Sequence, residues 1–170
     1  MIKIIAAMSR NRVIGNKGKI PWHLPPDLNF FKEMTKDNIV IMGRRTWESL
    51  PVKPLPSRTN IVISRTAILT AENTVVHRDF YYAIHALKNY SLELKQDIYI
   101  IGGGALYRQS LAMNIVDEIL LTEIDAEFPG DTLFPEIPKG FKSELILEAK
   151  YKDLSFKINR WSNENKREDS

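Results

Sequence analysis

The 170-residue chain contains no cysteine. That excludes a disulfide scaffold, a thiolate metal site and a cysteine nucleophile, and it is compatible with a reducing compartment. Histidine is scarce as well. His23, His77 and His85 are the whole complement, scattered without metal-ligand spacing, so no metal site is expected. No apolar run approaches the roughly 18 residues needed to span a bilayer. The opening MIKIIAAM turns polar at Ser9-Arg10-Asn11-Arg12, too early for a signal peptide and without a cleavage site. No membrane partner is expected, and the reading is cytoplasmic.

Charge of one sign is not in large excess either. The net charge is +3 and the pI about 9.0. A nucleic-acid binder would gather its Lys and Arg into one stripe, and none is visible. The one dense charged run, residues 164–170, alternates in sign and reads as a solvated, frayed end. What is present is an ordinary globular mix, 44% hydrophobic and 26% charged. It suffices for one domain over residues 1–162 with a polar tail at 163–170. The small positive excess suits an anionic small molecule, and no segment demands a second copy, so a monomer is expected.

Apolar, β-branched runs at 2–8, 39–42, 60–64 and 98–101 predict strands buried on both faces, as in a parallel sheet. Between them Phe80, Ala83, Ile84 and Leu87 follow i, i+3, i+4, i+7 spacing, the mark of a helix with one apolar face. Residues 105–113 and 44–50 predict two more helices. From 118 onward three strands follow without helices, at 118–124, 142–150 and 154–161, the last two joined closely enough for an antiparallel hairpin. The expected fold is a single α/β domain: a central, mostly parallel, twisted sheet flanked by about four helices, with an antiparallel C-terminal edge hairpin.

The most informative segment is Pro21-Trp22-His23-Leu24-Pro25-Pro26-Asp27-Leu28-Asn29-Phe30-Phe31-Lys32. Its prolines keep the first half extended, and Pro26 suits the first turn of a helix. On that helix Asp27 and Phe31 nearly stack, with Leu28 and Met34 close by. One reading is that Asp27 caps the helix. The other is that a carboxylate inside an apolar stripe awaits a partner, because burying it unpaired is expensive. A ligand with two parallel N–H donors, such as a 2-amino-4-oxopteridine ring, satisfies the second.

Two predicted strands run into glycine turns that open helices: Gly102-Gly103-Gly104-Ala105-Leu106-Tyr107 and Gly43-Arg44-Arg45-Thr46. Backbone N–H groups at such helix starts bind anions, and glycine lets a pyrophosphate approach. The first run is not a full dinucleotide fingerprint, since Tyr107 stands where the last glycine belongs, and a triple glycine alone is also simply a tight turn. A third strand ends at Ser64-Arg65, and Arg78 follows the next. Arg44, Ser64, Arg65 and Arg78 supply cations and a hydroxyl for a ribose 2′-phosphate. Each arginine alone reads equally as a solvated surface residue; together, at successive strand ends, they point to NADPH.

The runs Ile5-Ala6-Ala7, Val13-Ile14-Gly15, Pro21-Trp22-x-Leu24-Pro25-x-Asp27-Leu28, Met42-Gly43-Arg44-x-Thr46-Trp47-Glu48-Ser49, Leu55-Pro56-x-Arg58, Ile101-Gly102-Gly103-Gly104-x-x-Tyr107 and Thr122-x-Ile124-Asp125-Ala126-Glu127 resemble those of bacterial dihydrofolate reductases, in order and spacing, over nearly all of the chain to Pro135. The resemblance implies NADPH-dependent reduction of 7,8-dihydrofolate to 5,6,7,8-tetrahydrofolate, by hydride transfer to C6 and protonation of N5, in the service of one-carbon metabolism and open to antifolate inhibitors. It implies that Asp27 binds the pterin N3 and 2-amino group with Thr122 hydrogen-bonded to it, and it places Trp22 and Tyr107 near the chemistry. Ile5, Ala6, Ala7, Leu28, Phe31, Lys32, Ser49, Leu50, Leu55 and Ile101 would line the substrate, and Arg58 would pair with its glutamate α-carboxylate. Ala7, Ile14, Gly15 and Ile20 would flank the nicotinamide, and Asn16 and Gly18 would also bind the cofactor. Gly43, Arg44, Arg45 and Thr46 would hold the pyrophosphate together with Gly103, Gly104 and Ala105, and Ile63, Ile101, Gly102, Leu106 and Tyr107 complete the cofactor set. The Gly102–Gly103 peptide is expected to be cis, and residues 9–24 to form a mobile loop in which Ile20 replaces the more usual Met or Leu.

Two other functions fit the fold. A riboflavin-precursor reductase of the same architecture would take a ribityl phosphate, for which Arg58 and the apolar Leu28, Phe31 and Leu55 are poorly suited. A non-catalytic nucleotide-binding module would have no use for a buried carboxylate.

Overall fold

The computed structural model describes residues 1–167. The chain runs β1 (Ile2–Ser9), β2 (Val13–Gly15), α1 (Pro25–Thr35), β3 (Ile39–Gly43), α2 (Arg44–Ser49), β4 (Thr59–Ile63), β5 (Thr74–His77), α3 (Phe80–Leu94), β6 (Ile98–Gly102), α4 (Gly104–Ala112), β7 (Glu118–Ile124), β8 (Thr132–Leu133), β9 (Phe141–Tyr151), β10 (Leu154–Asn163) and α5 (Glu164–Arg167). Eight strands form one sheet in the order β5-β4-β3-β6-β1-β7-β10-β9, and β2 pairs with β8 beside it. The first six are parallel neighbours; β10 joins β7, and β9 joins β10, antiparallel. The sheet and its edge hairpin agree with the sequence expectation.

Strand alternation sends the side chains of β1 to two cores. Ile4 joins a cluster with Ile84, Leu87, Leu106 and Leu111, under α3 and α4. Ile5 joins a second cluster with Trp47, Phe30, Phe31 and Met34, under α1 and α2. The crossovers from β1 to β3 and from β6 to β7 therefore lie on opposite faces, which opens a crevice at the C-terminal ends of β1 and β6, where α/β sheets bind ligands. Helix α3 buries Phe80, Ala83, Ile84 and Leu87, each large side chain contributing about 1.5–3 kcal/mol. Its start is fixed by Asp79, whose carboxylate accepts the N–H of Tyr82 at 3.1 Å.

Three features depart from expectation. The short pair β2–β8 was not foreseen. The helices number five among the described residues, because the end of the chain is docked rather than frayed up to Arg167. Strand β10 continues through Asn163, past the expected end of the last strand at 161, and Asn163 Nδ2 donates to Val116 O at 2.9 Å. Lys166 Nζ then pairs with Asp117 at 2.8 Å and donates to Ile115 O at 2.9 Å, so the Lys166 charge has fixed partners. Residues 168–170 of the expected tail lie outside the described residues. Finally, β9 is the free edge of the sheet and carries exposed Leu145, Ile146 and Leu147; its register shift opposite Ile158 and its flanking charges Lys142, Glu144, Glu148 and Lys150 blunt that edge.

Candidate active site

Helix α1 begins with two prolines in its first turn, and no side chain caps it. The capping reading of Asp27 is thereby set aside: its carboxylate turns to the sheet, where Thr122 Oγ1 donates to Asp27 Oδ1 at 2.5 Å. Thr122 is buried on β7, directly beside Ala7 of β1. Burial pushes the Asp27 carboxyl above the ordinary aspartate value, and the Thr122 hydrogen bond pulls it back only in part. No cation contributes. The second oxygen, Oδ2, is left to accept from a ligand.

Phe31, one turn on from Asp27, packs in one cluster with Ile5, Leu50, Leu55 and Ile101, the residues named above as candidates to line the pterin. Leu28 is 55% exposed. Ala6 packs into the core on the opposite face of the sheet, and only its backbone borders the crevice. Lys32 is exposed on α1, and Ser49 is exposed with its hydroxyl donating to Thr46 O at 2.7 Å. Arg58 is buried under Phe31, donating to Pro56 O at 2.8 Å and to Thr35 Oγ1 at 3.1 Å. Of five guanidinium N–H donors that leaves others for an anion. Tyr107 is buried, its hydroxyl donating to Ile5 O at 3.1 Å; burial, and secondarily the charge of Asp27, push its phenol well above the ordinary value.

On the other side of the crevice, α2 and α4 start on Gly43 and Gly103, and neither has a side-chain cap or an acidic residue in its first turn. The two turns touch: a Cβ on Gly102 would meet Thr46 Oγ1 at 3.2 Å, and Gly102 has φ +131°, a conformation other residues rarely adopt. The Gly102–Gly103 bond is cis. Ala105 is exposed at the start of α4, whereas the Leu106 side chain is buried in the core, and Ile63 packs against that same core. The arginines are not alike. Arg44 is ion-paired with Glu48 at 2.8 Å beside a cavity of about 340 Å³ that Trp47, Thr66 and Leu69 also line. Arg78 donates to Ser64 O and Ala67 O, at 3.1 and 2.7 Å, and Ser64 Oγ accepts the N–H groups of Thr66 and Ala67. Arg45 and Arg65 are exposed, with no ion-pair partner among the described residues.

The loop over residues 9–24 is tied at its middle. Ile14 and Gly15 lie in β2, Asn16 and Lys19 exchange backbone hydrogen bonds at 2.8 and 3.0 Å around Lys17 and Gly18, both at positive φ, and Asp131 accepts the N–H of Lys17 at 3.0 Å. Arg12 donates to Phe134 O at 2.8 and 3.1 Å. Gly130 makes the approach of the two segments possible, since a Cβ there would run into Val13 and lie 2.7 Å from Gly15 O. Beyond this anchor Ile20 is 61% exposed, and Trp22 rests edge-on against Phe128 at 5.4 Å.

A sequence profile of the family described as dihydrofolate reductase matches residues 1–159. The chain belongs to the dihydrofolate reductase family. It is 45% identical over 137 residues to the dihydrofolate reductase of Buchnera aphidicola, covering 79% of each chain. It is 44% identical over 140 residues to that of Neisseria gonorrhoeae, covering 81% of each. A bifunctional dihydrofolate reductase-thymidylate synthase of Daucus carota is 38% identical over 147 residues, 78% of this chain and 28% of that one. The family's cofactor, NADPH, fits what is present: two adjacent helix starts with uncapped N–H groups, a Gly102 turn without Cβ, and exposed Arg45 and Arg65 without ion-pair partners among the described residues.

Proposed function

We propose that this chain reduces 7,8-dihydrofolate to 5,6,7,8-tetrahydrofolate with NADPH. The observation that carries the reading is Asp27: a partly buried carboxylate, held by Thr122 through one oxygen, unopposed by any cation, on a helix whose Phe31 joins the apolar cluster of Ile5, Leu50, Leu55 and Ile101. A pterin presents N3–H and a 2-amino group side by side, and Asp27 accepts both, which orients the ring between Ile5, Phe31, Leu50 and Ile101. Arg58 then receives the glutamate α-carboxylate at the outer end, where its fork is pre-set by Pro56 and Thr35.

Bound NADPH supplies the hydride delivered to C6. The turn residues 43–46 and 103–105 hold its pyrophosphate through backbone N–H groups, and Arg44, Ser64, Arg65 and Arg78 surround its 2′-phosphate. Ala7, Ile14 and Ile20 exclude water from the reacting ends. Because burial raises the pKa of Asp27, a proton stays available there closer to neutrality than on an exposed aspartate. All these groups come from one chain, so the site works as a monomer, and a cytoplasmic setting suits a chain without cysteine.

Following the near-ultraviolet absorbance of NADPH with dihydrofolate as acceptor tests the proposal. Turnover is expected with NADPH and much less with NADH. Oxidation of NADPH by a riboflavin precursor but not by dihydrofolate would overturn it.

A further inference from the structure

One buried amide belongs to none of the motifs. Asn60, the second residue of β4, is 0% exposed. Strand alternation puts it on the same face as Val62, and its register partner on β3 is Val40. Both valines lie in the apolar cluster that also holds Phe31, Leu50 and Leu55. A primary amide in such surroundings is costly unless its donors and its acceptor are satisfied.

A single loop satisfies them. Asn60 Nδ2 donates to Leu55 O and to Arg58 O, both at 3.0 Å, and Oδ1 accepts the N–H of Leu55 at 2.9 Å. One side chain thus ties the two ends of the segment 55–58 to each other and to the sheet. Between those ends Pro56 and Ser57 are exposed, and Ser57 has φ +59°, a conformation that a non-glycine residue keeps only where its surroundings enforce it. From the outside, the N–H of Asp37 donates to Ser57 O at 2.8 Å.

A buried asparagine commonly does no more than close a turn. This turn differs in what it carries. Leu55 at one end is a candidate wall of the substrate pocket, and Arg58 at the other is the candidate partner of the substrate's carboxylate. Arg58 is 7% exposed and packed under Phe31, with Nη1 already donating to Thr35 Oγ1. A guanidinium so enclosed has little freedom to make up for a displaced backbone.

We infer that Asn60 is a positioning residue for the outer half of the substrate: it sets the spacing between the Leu55 wall and the Arg58 fork, and hence the fit of the aminobenzoyl-glutamate portion. The inference rests on the dihydrofolate reading above and refines it. Asn60 meets no ligand itself and acts through the backbone of Leu55 and Arg58. The pterin end is held by Asp27 and Thr122 on other elements, so hydride transfer should not sense Asn60.

The test uses the full chain with Asn60→Asp and Asn60→Ser. Aspartate keeps the shape and the acceptor for the Leu55 N–H but turns an oxygen toward Leu55 O and Arg58 O; serine removes the amide and keeps a polar group. Each is assayed with dihydrofolate, with dihydropteroate, which lacks the glutamate, and with a 6-methyl dihydropterin, which lacks the aminobenzoyl group as well. KM and kcat are read separately, and dissociation constants come from quenching of tryptophan emission. In Asn60→Asp the KM and dissociation constant of dihydrofolate should rise roughly tenfold, equivalent to about 1.4 kcal/mol. The rise should be smaller for dihydropteroate and absent for the methylpterin, with kcat and NADPH affinity close to the parent's. Asn60→Ser should rank the three substrates in the same order. Equal losses on all three would make Asn60 an ordinary residue of the fold and overturn the inference, and so would failure of both variants to fold. An unchanged KM for dihydrofolate in a folded variant would overturn it equally. Failure of the parent chain to reduce any of the three would instead remove the proposed function, whatever Asn60 does.

Discussion

At the N-terminal ends of the parallel strands, charges are matched. The Met1 ammonium and Lys3 Nζ lie 2.9 and 3.1 Å from Asp97, Lys3 also approaches Glu118 at 3.5 Å, and Arg160 lies 3.8 Å from both Glu118 and Glu144. At the C-terminal ends matching is incomplete: Arg10 pairs with Asp125 and Arg44 with Glu48, each at 2.8 Å, but other charges stay unmatched. Asp27 has a hydroxyl for company and no cation, while Arg45, Arg65 and Arg108 have no anion among the described residues. The same residue type responds in opposite ways. Burial raises both aspartates, but at Asp97 the hydrogen bonds and charges of Met1 and Lys3 outweigh it and bring the carboxyl below the ordinary value, whereas at Asp27 burial wins. Matched charge at one end serves the fold. Unmatched charge at the other end is, on the proposed function, the part a ligand completes, negative toward a pterin and positive toward phosphates.

Removing the unmatched carboxylate should produce the largest effect. Asp27→Asn is expected to lower kcat/KM for dihydrofolate about 10²- to 10⁴-fold at pH 7, with partial recovery in acid, where the substrate arrives protonated. Near-normal turnover at pH 7 would end the role assigned to Asp27. Stability should move the other way. A carboxyl whose folded pKa is raised contributes stability below its unfolded pKa of about 3.8 and loses it as pH climbs through the folded value. Asp27→Asn should therefore melt above the parent at pH 7, with the gap closing toward pH 4, in calorimetric scans across that range.

Thr122→Val sharpens the comparison at smaller scale. Valine keeps the volume and removes the one donor to Asp27, a charge-assisted bond worth about 1.5–3 kcal/mol. At least a tenfold fall in kcat/KM is expected. Because that bond lowers the Asp27 pKa, its loss should move the acidic limb of the pH–activity profile upward; an unmoved limb would mean that Asp27 does not control it.

How much of this was readable from the sequence varies with how local the physics is. The parallel strands announce themselves as β-branched runs, and α3 by the spacing of Phe80, Ala83, Ile84 and Leu87. Asp27 beside Phe31 and the two glycine turns were equally local signals. The pair β2–β8 was not legible, because strands of three and two residues carry no period and depend on Arg12 meeting Phe134 and Lys17 meeting Asp131. Lys166 likewise gains a partner, Asp117, only through the fold. The placement of Ala6 on the wrong face for the pocket was available from strand alternation with Ile5, which assignment by motif overrides. Ser64 was located correctly at a strand end, but its acceptance of two backbone N–H groups depends on a turn that no pattern foretold.

The smallest effect belongs to the matched end. Asp97→Asn removes a carboxylate that holds Met1 and Lys3 near the surface, and ion pairs so exposed contribute up to about 1 kcal/mol, or about 2–4 °C in a chain of this size. Since the Asp97 pKa is depressed in the fold, its contribution is present above about pH 4 and disappears as pH falls through the folded value. Parent and variant should therefore differ slightly in melting temperature at pH 7 and converge in acid, the reverse in sign of Asp27→Asn at neutral pH. kcat and the dissociation constant of NADPH should not change, because the groups proposed to meet the pterin and the cofactor lie at the other end of the strands, Arg58 at the start of β4 being the one exception. A loss of turnover in Asp97→Asn without a loss of fold would mean that the two ends are coupled, and the division of charge between structure and function would then fail.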